Sequence, residues 1–183
     1  MFRIYEDSDP VYVLMLHGNA DGMELAGRMG ASQLRNLLMA YHERMDKNNF
    51  LQNLLLDNFL LVDIYNRAKK LGIAIEERRV VFLIEPKKEG DNIVMETMRG
   101  LYATGTKDFV TAIDEKHIIL VKSLQSTDSY PQVEQIAKEL VTTLNMEAMV
   151  SVRAAYGTIV EELKDVSRSY KEADMALEVG RVF

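Results

Sequence analysis

The sequence predicts an α+β protein: an N-terminal β-hairpin and long helices, then a ferredoxin-like antiparallel sheet with helices on one face. Two β-rich runs near the start, separated by turn residues, predict the hairpin. Apolar residues at helical spacing over much of residues 25–71 predict the long helices. From Arg79 onward the order is strand, helix, strand, strand, helix, strand, helix, which splits two crossovers around a central hairpin.

Residues 2–6 alternate in character, Asp7-Ser8-Asp9-Pro10 carries turn chemistry, and residues 11–16 are β-rich. Two strands do not make a stable sheet alone. We expect them to be the last hairpin of a larger domain whose beginning the chain lacks. A helix follows, with Asn19 or Asp21 as its cap. Its apolar positions are Leu25, Met29, Leu34, Leu37, Leu38, Tyr41 and Met45. Gly27 and Gly30 each cost about 1 kcal/mol in a helix, which predicts a fraying start or a close contact. Lys47-Asn48-Asn49 and Asp57-Asn58 are weak points, and Gly72 closes the helix after residue 59 as its C-terminal glycine. Between Leu54 and Val62 apolar groups point nearly all round, so this stretch is expected to be buried on more than one side. Arg44, Asn48 and Gln52 interrupt any heptad, which favours a short bundle between two copies over a long coiled coil.

Residues 79–85 are a continuous apolar run, as in a central strand. Residues 91–102 form a helix with Val94, Met98 and Leu101 on one side. Residues 109–113 and 117–121 are strands joined by Asp114-Glu115-Lys116. Pro131 suits a first helical turn, with Ser129 or Asp128 near the cap, and Val133, Ile136, Ala137, Leu140 and Leu144 form its stripe. Residues 148–156 are a fourth strand. A last helix runs from about Asp165, with Val166, Tyr170, Ala173 and Leu177 inward.

The 183 residues carry a net charge of −6, with 48% apolar and 27% charged residues and no cysteine. Disulfides, thiol catalysis and cysteine-bound zinc are excluded. No apolar run approaches the roughly 20 residues that span a bilayer, and no signal peptide is visible, so a cytoplasmic protein without membrane contact is expected. Lys69-Lys70, Arg78-Arg79 and Lys87-Lys88 are short pairs with acids nearby, which disfavours nucleic-acid binding by this chain. His17, His42 and His117 lack ligand spacing, no glycine-rich phosphate loop exists, and the turn from Gly18 to Gly22 reads as a plain turn. The eleven methionines, such as Met29, Met45 and Met98, are expected to fill the core. No cofactor and no metal are expected.

Three stretches carry a resemblance. They are Asn66-Arg67-Ala68-Lys69-Lys70-Leu71-Gly72-Ile73 with the strand from Arg78 to Ile84, the central hairpin from Ile113 to Val121, and the segment from Ser169-Tyr170 through Glu172-Ala173 and Ala176-Leu177 to Arg181. The chain from about Phe50 resembles the middle region of the PucR and CdaR regulators, named for purine catabolism and carbohydrate diacids. The resemblance implies a GGDEF-like domain between a sensor and a helix-turn-helix. It divides the chain into the end of a PAS- or GAF-like sensor and its exit helix (residues 1–45), linking helices (46–73) and a degenerate GGDEF-like domain (74–183). DNA would then be bound only through a helix-turn-helix that the chain lacks, and an unknown small-molecule effector would act mainly through the missing part of the sensor.

A working diguanylate cyclase needs a tight Gly-Gly turn and carboxylates on the first strand and hairpin to hold Mg²⁺. Here the hairpin reads Asp114, Glu115, Lys116, both glycines are gone, and Glu85 alone could serve on the first strand. The expected function is a non-catalytic signal-relay and dimerisation module. The alternative is a GGDEF-like receptor for a nucleotide or metabolite. The expected homodimer interface comprises Leu34, Leu37, Leu38, Tyr41, Met45, Leu55, Phe59 and Val62.

Overall fold

A computed structural model describes residues 1–6, 9–18, 21–87, 92–102 and 107–180. Asp7, Ser8, the cap candidate Asn19 and Arg181 lie outside the described residues. The chain forms two units, Met1–Asn48 and Asn49–Phe183.

In the first unit β1 (Phe2–Glu6) and β2 (Asp9–Leu14) pair antiparallel, with a register shift between Ile4 and Tyr5. Helix α1 (Met23–Leu55) begins here. The glycines in its first turns mark a close contact: a Cβ on Gly27 would lie 1.9 Å from the Phe2 ring, and one on Gly30 3.1 Å from Leu14. Ile4 and Ala31 are buried. The helix therefore packs on the hairpin through its small residues. Its large apolar groups, Leu25, Met29, Leu37, Tyr41 and Met45, are exposed. The expectation that Met29 and Met45 fill a core is thus corrected, while Met98 does so.

The weak point at Lys47-Asn48-Asn49 does not stop α1. Lys47 pairs with Glu43 at 2.6 Å, and the Asn53 amide donates to the Asn49 carbonyl at 2.8 Å. Extending a formed helix costs far less than nucleating a new one. The end comes at Asp57, in the left-handed region at φ 62°. Asn58 N–H donates to Asn53 C=O and Asp57 N–H to Leu54 C=O, the paired bonds of a Schellman motif. Helix α2 (Leu61–Lys70) closes in the same way: Gly72 at φ 66°, Ile73 N–H to Ala68 C=O, Gly72 N–H to Lys69 C=O. Ala68 and Ile73 are both buried, which completes that motif's apolar contact.

The second unit is built on a five-stranded antiparallel sheet in the order β4-β5-β3-β6, with β7 also on β3. The elements are β3 (Glu76–Pro86), α3 (Asn92–Tyr102), β4 (Phe109–Ala112), β5 (Ile118–Ser123), α4 (Tyr130–Glu147), β6 (Val152–Tyr156), β7 (Val160–Glu162), a 3-10 turn (Leu163–Asp165) and α5 (Val166–Val179). This is the expected ferredoxin-type connectivity. The cap expected near Pro131 is Ser129, and it forms a capping box, with Ser129 N–H donating to the Gln132 carboxamide oxygen at 3.1 Å. The fourth strand starts at Val152, later than expected, and β7 was not anticipated.

One expectation needs correction: helices cover both faces of the sheet. Val80, Phe82, Ile84 and Leu120 pack with α3 (Val94, Met98) and α4 (Val133, Leu140, Leu144). The alternate residues Val81, Leu83, Ile119 and Val121 pack with the end of α1 (Phe50, Leu51, Leu54, Leu55), α2 (Ile64, Ala68) and α5 (Val166, Ala173, Leu177). Successive strand residues point to opposite faces, so an unbroken apolar strand requires a cover on each. Each such large side chain contributes roughly 1.5–3 kcal/mol. Residues 49–73 accordingly share the core of the second unit. Leu101, expected inward, is exposed. Among the described residues no helix is long and apolar enough to cross a membrane.

Candidate functional site

The pairing of Ile84 with Ile118 brings Glu85 and the β4–β5 turn to one end of the sheet. These are the groups that would hold a metal in a cyclase of this architecture. Two of the three candidate carboxylates, Asp114 and Glu85, are engaged within the fold. Asp114 Oδ1 accepts from the N–H groups of Lys116 (2.8 Å) and His117 (2.7 Å), and Oδ2 lies 2.8 Å from His117 Nδ1. An aspartate that binds its own backbone two and three residues on shapes a tight turn without glycine. Burial pushes the Asp114 carboxyl up. The hydrogen bonds from His117 and from the two backbone N–H groups, with the charge of His117, outweigh burial and hold it below its ordinary value. His117 Nε2 is buried without a partner. Glu85 pairs with Arg153 on the neighbouring strand β6. Glu115 and Lys116 are exposed. Among the described residues no three His, Asp or Glu gather where a metal ion could be held. His17 and His42 lie in the first unit, away in sequence from this turn.

A second constellation sits where β6 passes into β7. From Phe82↔Tyr156 to Arg79↔Val160, the β6–β7 edge takes one residue more than β3, so the ladder breaks there. Gly157 N–H still donates to Val81 C=O at 3.0 Å. The Val81 N–H has no strand partner and donates to Ser169 Oγ at 3.0 Å. Ser169 in turn donates to Thr158 C=O at 2.7 Å, and Thr158 N–H donates to the Glu172 carboxylate at 2.8 Å. Helix α5 thus supplies the hydrogen bonds that the broken ladder lacks. The approach is close: a Cβ on Gly157 would lie 1.8 Å from the Ser169 carbonyl oxygen. Ala173, four residues on from Ser169, is fully buried against the same sheet face. Burial raises the Tyr170 phenol, and the carboxylates of Asp174 and Asp114 raise it further. The segment from Ser169 to Ala173 therefore does structural work: residue spacing placed Tyr170 and Ala173 inward but gave Ser169 no role.

Arg79 is the other group that the sequence reading left without a role. It is 1% exposed. Its guanidinium donates to Ala74 C=O at 2.7 Å and to Glu77 Oε2 at 2.9 Å, while Nε has no partner. Glu77 Oε1 accepts from Lys107 at 2.7 Å and Ser123 at 3.0 Å. A buried cation of this kind needs its counter-ion.

The expected interface residues fall into two groups. Leu37 and Tyr41 are 66% and 58% exposed, Leu34 and Met45 are exposed, and Leu38 is half-buried, all in the first unit. In the second unit Val62 is exposed, but Leu55 is 0% exposed. Phe59 stacks on Phe50 at 5.6 Å, with the Arg67 guanidinium 4.8 Å from its ring. Leu55 is therefore corrected to a core residue, and Phe59 is half-buried against that core, so much of its apolar surface is used within its own unit.

The family model of the GGDEF-like domain matches residues 58–179, about two thirds of the chain. Neither the comparison with curated proteins nor that with solved structures finds a match. The match opens in the turn that ends α1 and closes on the last residue of α5, so it spans the whole sheet and the Ser169 clamp. The chain belongs to the GGDEF-like domain family.

Proposed function

We propose that this chain is a non-catalytic relay and dimerisation module of a bacterial transcriptional regulator of the PucR and CdaR type, coupling a sensor to a helix-turn-helix. The observation that carries the reading is the engagement of Asp114 of the hairpin on its own turn and of Glu85 of the first sheet strand on Arg153. A Mg²⁺ site needs free carboxylate oxygens at octahedral positions. Opening this one would break the turn and leave Arg153 without its counter-ion.

The relay half of the reading rests on α1. This helix contributes to both units, and its exposed stripe of Leu34, Leu37, Tyr41 and Met45 suits a second copy about a twofold axis. An effector that favours one packing of the helix pair would bias whatever is joined to the second unit, provided the bundle has two discrete arrangements. The module would act in the cytoplasm.

The test is incubation of the purified chain with GTP and Mg²⁺ or Mn²⁺. No cyclic di-GMP is expected. Product above a blank by chromatography, lost in Glu115→Ala, would overturn the reading.

A further inference from the structure

The first unit holds an open cleft of about 430 Å³ that neither the family match nor the relay reading accounts for. Arg28, Ala31, Ser32 and Arg35 line it from α1, and Arg3 and Tyr5 from β1. The helical positions recur at i, i+3, i+4 and i+7, the spacing of a single helix face. The helical repeat and the pairing of helix with hairpin thus gather three arginines around one concavity. Among the described residues no carboxylate lines it, although the chain as a whole carries a charge of −6.

Nothing among the described residues satisfies these cations fully. Arg28 gives one guanidinium nitrogen to Glu24 at 2.6 Å, in an exposed pair. Arg3 and Arg35 have no hydrogen-bond or ion-pair partner among the described residues. A guanidinium offers a planar fork of donors that matches a carboxylate or a phosphate through two parallel hydrogen bonds. Ser32 and Tyr5 add hydroxyl groups at the same cleft. Its volume falls among those of small-molecule sites, roughly 300–1,000 Å³.

We propose that this cleft binds a small anion bearing a carboxylate or a phosphate, gripped by Arg3 and Arg35 with Arg28 as the third cation. The site goes beyond the relay reading and does not rest on it, since cyclase activity and ligand binding are measured separately.

Calorimetry on the whole chain tests it, with succinate and inorganic phosphate as the two probes. One of them is expected to bind at a single site per chain, and which one tells a carboxylate ligand from a phosphate ligand. Arg3→Gln and Arg35→Gln should each raise Kd about tenfold. Both side chains are exposed, so the far-UV circular dichroism of these variants should match that of the parent chain. Glu24→Gln releases Arg28 and should tighten binding, a change that loss of fold does not mimic. Absence of binding by both probes at millimolar concentration overturns the proposal. So does binding that both arginine substitutions leave unchanged.

Discussion

Replacing Ser169 with alanine removes one oxygen atom, and the structure sets what that costs. The hydroxyl accepts from Val81 N–H at 3.0 Å and donates to Thr158 C=O at 2.7 Å. Both Val81 and Ser169 are completely buried, so water does not replace the lost partner at Val81. A buried donor left unsatisfied costs about 1–3 kcal/mol. Thr158 is half-buried, and its carbonyl can recover part of its loss from solvent. The sum for Ser169→Ala is roughly 2–3 kcal/mol, a large fraction of the 5–15 kcal/mol typical of a domain. Denaturant titration followed by circular dichroism would measure it, with the slope unchanged if the denatured state is unaffected. Hydrogen exchange gives the local readout, because the Val81 amide should lose protection more than those of its neighbours Phe82 and Leu83. A loss below about 0.5 kcal/mol, with Val81 still protected as in the parent chain, would refute the account of Ser169 as the partner of a broken ladder.

Other outcomes follow from the same structure. Gly157→Ala should cost about 3 kcal/mol in the same titration, because its Cβ would meet the α5 backbone and not a movable side chain. Glu77→Gln should cost about 3–5 kcal/mol, since it leaves the Arg79 guanidinium buried without a counter-ion. Burial raises Glu77, but hydrogen bonds from Lys107 and Ser123 and the charges of Arg79 and Lys107 bring it below its ordinary 4.5. A depressed carboxyl stabilises the fold above its unfolded value and loses that contribution as pH falls through the folded one. Stability should therefore fall as pH drops below about 4.5, less steeply in Glu77→Gln, as unfolding curves at several pH values would show. Tyr41→Glu or Leu37→Glu should convert the proposed dimer to monomer by sedimentation velocity, and a parent chain that is already monomeric at micromolar concentration would remove the dimer from the reading.

Local chemistry determined a good deal of this protein by itself. The element order from Arg79, the capping box at Ser129 and the glycine closing α2 are written in neighbouring residues, and the hydrogen bonds of the box and of the helix closure span at most five positions. The Asp114–His117 turn is of the same kind, its partners lying two and three residues apart. Even the cover on both faces of the sheet was implied by the unbroken run in β3, although which helices supply it was not. Tertiary structure decided the rest, because apolar periodicity reports that a side chain leaves water and not what it meets. Leu55 and Leu37 look alike in sequence, yet one is sealed in the sheet core and the other is exposed. Helix α1 runs on through Asn48 and Asn49 although local propensity marks a weak point, since a helix already nucleated propagates. Ser169 is a polar residue whose partners lie 11 and 88 positions away. No local pattern announces the break in the β6–β7 edge that it fills, so only the assembled sheet gives that hydroxyl its purpose.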